Sequence, residues 1–347
     1  TIQEHFNDLA VGTYGRGFYI LDDLSPLQQL TPDVMAAPAH LFAPRPAYRW
    51  RQIPGNYTMQ DDMSAGQNPP NGAGINFWVK AAPTGPVKIE ILDSTRRVVR
   101  TMNENARAGL NRVYWNFEGD TLRSGRLRTK PEYNEEFVMN ADGTRPGGVN
   151  AMTVVMPPGR YNVRLTVNGT AYTQPLEVRK DPHSRAALAE LLEQYRALTA
   201  IQRDHATAAE MVNTIESIRV QLQALVKQVA SDAAAADVRN GSTALEQKFK
   251  AVESRIIDLR MTGRGQDGVR WPVVLAGQLD YVANTISASE FAPTTQQRQV
   301  AGVLAKETRD VNAALRGLIN NDLSNFNSML RGRGLKPIEV PTPSIVF

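Results

Sequence analysis

The chain has 347 residues, enough for two or three domains. A hydrophobic share of 42% and a charged share of 21% describe a globular chain and exclude a disordered one. The formal charge is only +4 with the basic residues spread along the chain, and cysteine is absent. That excludes nucleic acid as the expected partner, and it excludes disulfides, thiolate metal sites, iron–sulfur clusters and cysteine nucleophiles.

No window approaches the roughly 18 apolar residues of a membrane span. Residues 1–9 are polar and do not read as a signal peptide, and the chain is expected to open in the middle of a fold. Residues 9–12 and 18–21 read as two short strands, with Gly15 and Gly17 supplying the turn between them. Gly12, Gly15 and Gly17 reverse the order of a dinucleotide-binding fingerprint and precede a strand, so a phosphate loop is rejected. A lone hairpin is marginal in water and needs a larger sheet. Residues 25–72 are proline-rich and read as a linker, with an extended edge near 40–51. Asp61 and Asp62 fit a solvated loop better than a cation site.

From residue 73 the pattern is β. Runs at 75–80, 87–92, 98–102 and 110–117 have strand length. Residues 118–150 interrupt them with a charged excursion rich in glycine and proline. Strands resume at 159–167 and 171–178 around Asn168-Gly169, a strong hairpin signal. Residues 73–180 therefore read as an Ig-like β-sandwich with a long insertion at 118–150.

Asp181-Pro182 is expected to cap a very long helix over 181–230. Its apolar stripe runs through Leu188, Leu191, Tyr195, Leu198, His205, Ala208, Val212, Ile215, Leu222, Leu225 and Val229. A helix of roughly 45 residues spans about 70 Å and needs cover. Asn240-Gly241-Ser242 reads as a break. Further helices are expected at 243–260, 272–288 and 293–330, with a loop at 263–268. Residues 181–331 thus form an antiparallel four-helix bundle, followed by an extended tail over 332–347 expected to lie across another domain. The fold class expected is α+β and multidomain.

No catalytic constellation emerges. The histidines, His5, His40, His183 and His205, are scattered, and His205 on the stripe reads as a core residue. Glu118, Asp120, Glu132, Glu135 and Glu136 carry no mark of desolvation. Asp22-Asp23 reads as a cap for the segment after it. Ser25, Ser64 and Ser124 lack a nucleophile-elbow context. Trp78 and Trp115 read as packing residues. The candidate partner contacts are Arg123, Arg126, Arg128, Tyr133 and Phe137 in the excursion, with Arg331 and Arg333 after the last helix. The excess length of the long helix, with the excursion, is where a partner is expected. No cofactor and no metal is expected.

Five segments, 8–27, 40–51, 68–80, 158–169 and the helical end, carry a family resemblance in their order. Val11, Thr13, Gly15, Arg16, Gly17, Phe18, Ile20, Leu21, Asp22 and Asp23 match V-x-T-x-G-R-[GS]-F/W-x-I-L-D-D. The chain resembles the C-terminal third of large bacterial exported proteins with sortilin-like, BNR-type β-propellers. In that family the motif closes the propeller, ahead of an Ig- or FlgD-like sandwich and a helical bundle. The resemblance implies that 1–24 are remnant propeller strands and that the protein is periplasmic or secreted. The function expected is that of a non-catalytic scaffold docking on proteins of an extracytoplasmic, membrane-attached assembly. The alternatives are an accessory region of a secreted propeller glycoside hydrolase or peptidase, and a carbohydrate-binding sandwich. The blade motif S-x-D-x-G-x-T-W does not occur, so no catalytic residue is implied.

Overall fold

A computed structural model describes residues 1–50, 66, 68–262 and 268–342. Asp61, Asp62, Ser64, most of the loop expected at 263–268 and the last residues of the tail lie outside the described residues. The chain is mixed α/β and divides into two compact units. One is Thr1–Asp120 with Val155–Tyr195; the other is Thr121–Val154 with the chain from Arg196 onward. The expected insertion therefore clusters, for 121–154, with the helices and not with the strands that flank it.

The first unit begins with a small antiparallel sheet of β1 (Ile2–Gln3), β2 (Asp8–Gly12) and β3 (Phe18–Leu21), in that order. β1 is one strand more than the sequence predicts. The expected linker is partly structured. It carries α1 (Ser25–Gln28), α2 (Pro32–Ala36), β4 (Ala39–Leu41) and β5 (Ala47–Arg49). β4 and β5 alternate buried and half-buried positions, so each proline-flanked run serves as a sheet edge.

The main strands are β6 (Ala73–Val79), β7 (Val87–Leu92), β8 (Val98–Glu104), β9 (Gly109–Trp115), β12 (Gly159–Val167) and β13 (Thr170–Lys180). Two others, β10 (Gly125–Leu127) and β11 (Arg145–Val149), pair with each other in the second unit. One sheet has the order β5-β13-β12-β7-β8 and another β4-β6-β9. Asn168 and Gly169 adopt positive φ of 46° and 83° between paired Val167 and Thr170, the two-residue turn expected there. Ile75 and Phe77 of one sheet and Ile89, Ile91, Val163 and Leu165 of the other enter one hydrophobic core. Trp115 lies within it, while Trp78 is only half-buried.

The long helix, α3 (Leu188–Gln228), has 41 residues. It starts later than predicted, because Asp181 builds a turn instead of a helix cap. Its Oδ1 accepts the His183 N–H at 2.8 Å, and its carbonyl accepts the Ser184 N–H at 3.1 Å. Glu190 then receives the Ala187 N–H at 2.7 Å as the helix begins. Leu188, expected on the stripe, is exposed. Between His205 and Arg219 burial runs nearly all round the helix, which is the signature of a central helix and not of a single covered stripe.

α4 (Ala236–Glu253) runs straight through Asn240-Gly241-Ser242, in place of the expected break. A Cβ on Gly241 would stand 2.8 Å from the Phe326 ring. The glycine is there for close packing, which offsets its propensity cost of about 1 kcal/mol. α5 (Leu275–Ser287) and α6 (Thr295–Gly317) come next. Thr294 and Gln297 form a complete capping box at the start of α6. A π-turn at Leu318–Leu323 leads into α7 (Ser324–Gly332), so the predicted fourth helix is one continuous helical path with a wide turn in it. The described part of the tail lies along its own unit. Asn327 brackets the Ile338 backbone at 2.7 and 2.9 Å, and Gln221 does the same for Glu339 at 2.8 and 2.9 Å.

Candidate interaction surface

The excursion is held to α3 by polar groups that an apolar stripe does not reveal. Ala206, Ala208 and Ala209 make that stretch of the helix slim, and Gly125 lets β10 approach it closely. A Cβ on Gly125 would meet Ala209 backbone atoms at 3.2 Å. One turn on, Asn213 accepts the Arg126 N–H at 3.0 Å and donates to the Ser124 carbonyl at 2.8 Å. Glu216 accepts the backbone N–H groups of Arg128 and Thr129, the latter at 2.6 Å, and the Thr129 hydroxyl at 2.7 Å. These bonds satisfy a strand edge that would otherwise be buried unpaired, at a cost of about 1–3 kcal/mol per group.

Behind this contact lies a buried ionic cluster. Arg219 reaches Glu216 at 3.1 Å, Glu253 at 2.7 Å and Glu246 at 2.8 Å, and it donates to the Thr129 hydroxyl at 3.1 Å. Glu216 and Glu253 are fully buried. Arg145 adds a second guanidinium, donating to the Thr129 carbonyl at 2.8 Å. Burial and the neighbouring Glu216 carboxylate push the Glu253 carboxyl well above the ordinary carboxylate range. A proton on Glu253 relieves the repulsion between these two buried carboxyls. Three carboxyls, Glu216, Glu246 and Glu253, thus share this interior with two guanidiniums, Arg219 and Arg145. Glu253 Oε1 has no hydrogen-bond partner among the described residues.

The buried acid makes stability depend on pH. A carboxyl whose folded pKa is raised contributes stability that is fully present below its unfolded pKa and lost as pH rises through the folded one. Stability should fall as pH climbs from the ordinary carboxylate range toward the raised folded pKa. Glu253→Gln, a neutral isostere, should flatten that slope and cost little at pH 7. Urea midpoints measured across this range test it, and an unchanged slope in the variant would show that the proton is elsewhere.

The sequence-predicted contacts fare differently. Arg123 is partly engaged by an ion pair with Glu210 at 3.3 Å. Arg126 and Arg128 have exposed side chains, with Arg128 donating to the Arg126 carbonyl at 3.2 Å. Tyr133 is 72% exposed. Phe137, expected as a contact, is only 7% exposed and counts among the buried hydrophobic residues. Arg333 is tied to Asp237 and to the Ala234 carbonyl, and Arg331 is exposed. The excursion covers α3 between Ala209 and Arg219, in the middle of the helix. His205 is buried, with Nε2 2.9 Å from Asp280 Oδ1 but outside hydrogen-bond geometry. Among the described residues no group of three or more His, Cys, Asp or Glu is placed to hold a metal. No helix there is long and apolar enough to cross a membrane.

An exposed apolar strand lies in the first unit. Phe18, Tyr19, Ile20 and Leu21 of β3 are all exposed, as are Val11 and Tyr14 before it. The strand's base is firm. Arg112 donates to the carbonyls of Asp22 and Asp23 at 2.8 and 2.9 Å and to Asn76 at 2.7 Å. Asn76 in turn donates to the buried Asp23 carboxylate at 3.1 Å. Asp23 also accepts the Ser25 N–H at 3.2 Å, although the N-cap position of α1 is Leu24 and carries no side-chain cap.

These features define a mixed α/β chain with several sheets and one long helix. No known protein family matches the chain, and no curated protein matches it.

Proposed function

We propose that the chain is a non-catalytic structural protein that docks on other proteins of an extracytoplasmic assembly, with peripheral contact to a membrane as part of that setting. β3 carries the reading. Its four apolar side chains alternate across both faces of the sheet, and it lies at the sheet's edge. A strand apolar on both faces belongs inside a covered sheet, and an open edge offers unpaired backbone groups to a further strand. The resemblance to the closing segment of sortilin-like propellers supports the same reading, as it does the periplasmic or secreted location. Arg126 and Arg128, with exposed side chains, are a second candidate contact.

For the architecture we propose an Ig-like sandwich and a four-helix bundle. The first is supported by the Tyr161 hydroxyl, which donates to the Pro157 carbonyl four residues upstream at 2.6 Å, as a tyrosine corner does. The second is supported by the packing of α6 against both α4 and α5.

Hydroxyl-radical footprinting of the native assembly and of the isolated chain tests the docking. Tyr14, Phe18 and Tyr19 should be protected in the first and labelled in the second. Phe18→Asp with Ile20→Asp should release the chain from its assembly without changing its own melting temperature. A native protein that runs as a lone monomer with these rings labelled would sink the proposal.

A further inference from the structure

The second unit contains a small pocket that the docking surface does not use. Its cavity measures about 360 Å³ and is walled by Glu132, Tyr133, Asp258 and Arg260 over Ile257 and Leu259. That volume is at the small end of the roughly 300–1,000 Å³ of ligand sites, with room for a sugar ring and its substituents.

Backbone pairing builds the wall. The Glu132 N–H donates to the Leu259 carbonyl, and the Met261 N–H donates to the Glu132 carbonyl, both at 3.0 Å. This bridge brings Tyr133 beside Arg260 and Trp271. The Tyr133 ring lies 6.3 Å from that of Trp271 at an interplanar angle of 21°. The Arg260 guanidinium sits 4.5 Å from the Trp271 ring centre, so planar groups brace each other. Tyr133 holds φ at +62°, a left-handed conformation that a bulky residue adopts at a cost of about 1–2 kcal/mol. A glycine or asparagine would sit there with less strain. The strain accompanies an exposed aromatic ring held at the mouth of a pocket.

The charges of the pocket are already paired. Asp258 holds Arg260 through two hydrogen bonds of 2.9 and 3.0 Å. Glu132 holds Lys250. An ionic ligand would find no uncompensated charge. A hydroxyl-rich neutral ligand would find carboxylate lone pairs still able to accept, guanidinium and phenol donors, and an aromatic face for its C–H side.

We infer that this pocket binds one ring of a neutral oligosaccharide or polysaccharide, with Tyr133 as the stacking platform and Asp258, Arg260 and Glu132 as hydrogen-bonding walls. The site belongs to the helical unit, whereas the strand surface proposed for protein docking belongs to the first unit.

Calorimetric titration of the full chain with cellopentaose, maltopentaose and chitopentaose tests it, with polygalacturonate as the charged comparison. At least one neutral chain should bind in the millimolar range or tighter, with a change in tryptophan fluorescence from Trp271. Tyr133→Gly should weaken that binding about tenfold, while the melting temperature holds or rises because the strained φ is relieved. Tyr133→Phe should bind within about twofold of the wild type, because the ring is kept. Failure of all three neutral chains to bind, preference for polygalacturonate, or binding that survives Tyr133→Gly each overturns the inference. Failure of the docking proposal would leave these results untouched.

Discussion

Replacing Arg219 by leucine is expected to destabilise the helical unit by about 4 kcal/mol. The guanidinium is almost fully buried and stands between Glu216, Glu246 and Glu253 at 2.7–3.1 Å. Without it, the buried acidic cluster of Glu216, Glu246 and Glu253 keeps only Arg145 as a neighbouring guanidinium. Leucine supplies apolar volume, so the loss is not a cavity effect. It is the cost of uncompensated charge. Neutralising the partners as well, with Glu216→Leu and Glu246→Leu added, would rescue an ordinary buried ion cluster. Here it should rescue only part of the loss. Glu216 also accepts the Arg128 and Thr129 N–H groups, and leucine leaves both unpaired. The readouts are the urea midpoint and hydrogen exchange at the Arg128 and Thr129 amides. Both amides should lose protection in Arg219→Leu ahead of amides in the strand unit. A variant that unfolds at the wild-type midpoint would show that Arg219 does not hold the excursion.

The sequence makes the local elements legible wherever one residue pair determines the geometry. Asn168-Gly169 announces its hairpin because only residues tolerant of positive φ can close it. Thr294 and Gln297 announce the start of α6 because they satisfy two backbone donors reciprocally. The course of 121–154 is not legible, because what docks it is polar. A search for apolar periodicity passes over Asn213, Glu216 and Arg219 on a helix buried almost all round. A polar signal is present all the same: Glu216 and Arg219 interrupt the stripe one turn apart, and Glu246 and Glu253 flank Phe249 on the buried side of α4. Gly241 misleads for a related reason. A glycine between Asn and Ser looks like a break until Phe326, far along the chain, is seen to occupy the space. Tyr133 is visible in the sequence as an aromatic in a loop. Its platform partner Trp271 is not, since only the Glu132–Arg260 bridge brings the two together.

The strand unit should depend as heavily on Trp115. Trp115→Ala is expected to cost about 4 kcal/mol. The indole is fully buried and meets Tyr161 and Phe117 edge-on at centroid distances of 5.2 and 5.5 Å. Its Nε1 donates to the Glu118 carbonyl at 2.8 Å, closing the end of β9. Alanine removes the largest apolar side chain of the core, breaks two aromatic contacts and leaves that carbonyl unpaired. Tyr161→Phe is the milder comparison: it keeps the ring and loses only the bond to Pro157, about 1 kcal/mol. Burial pushes the Tyr161 phenol far above its ordinary range, so it stays neutral and its loss should not vary with pH below the alkaline region. Hydrogen exchange separates two outcomes for Trp115→Ala. The core side chains of β6 and β9 interleave with those of β7 and β12. Protection should therefore fall together at Ile75, Phe77, Ile89 and Val163. Protection lost at Ile75 and Phe77 but kept at Ile89 and Val163 would mean that the two sheets do not unfold as one core, and the sandwich assignment would fail with it.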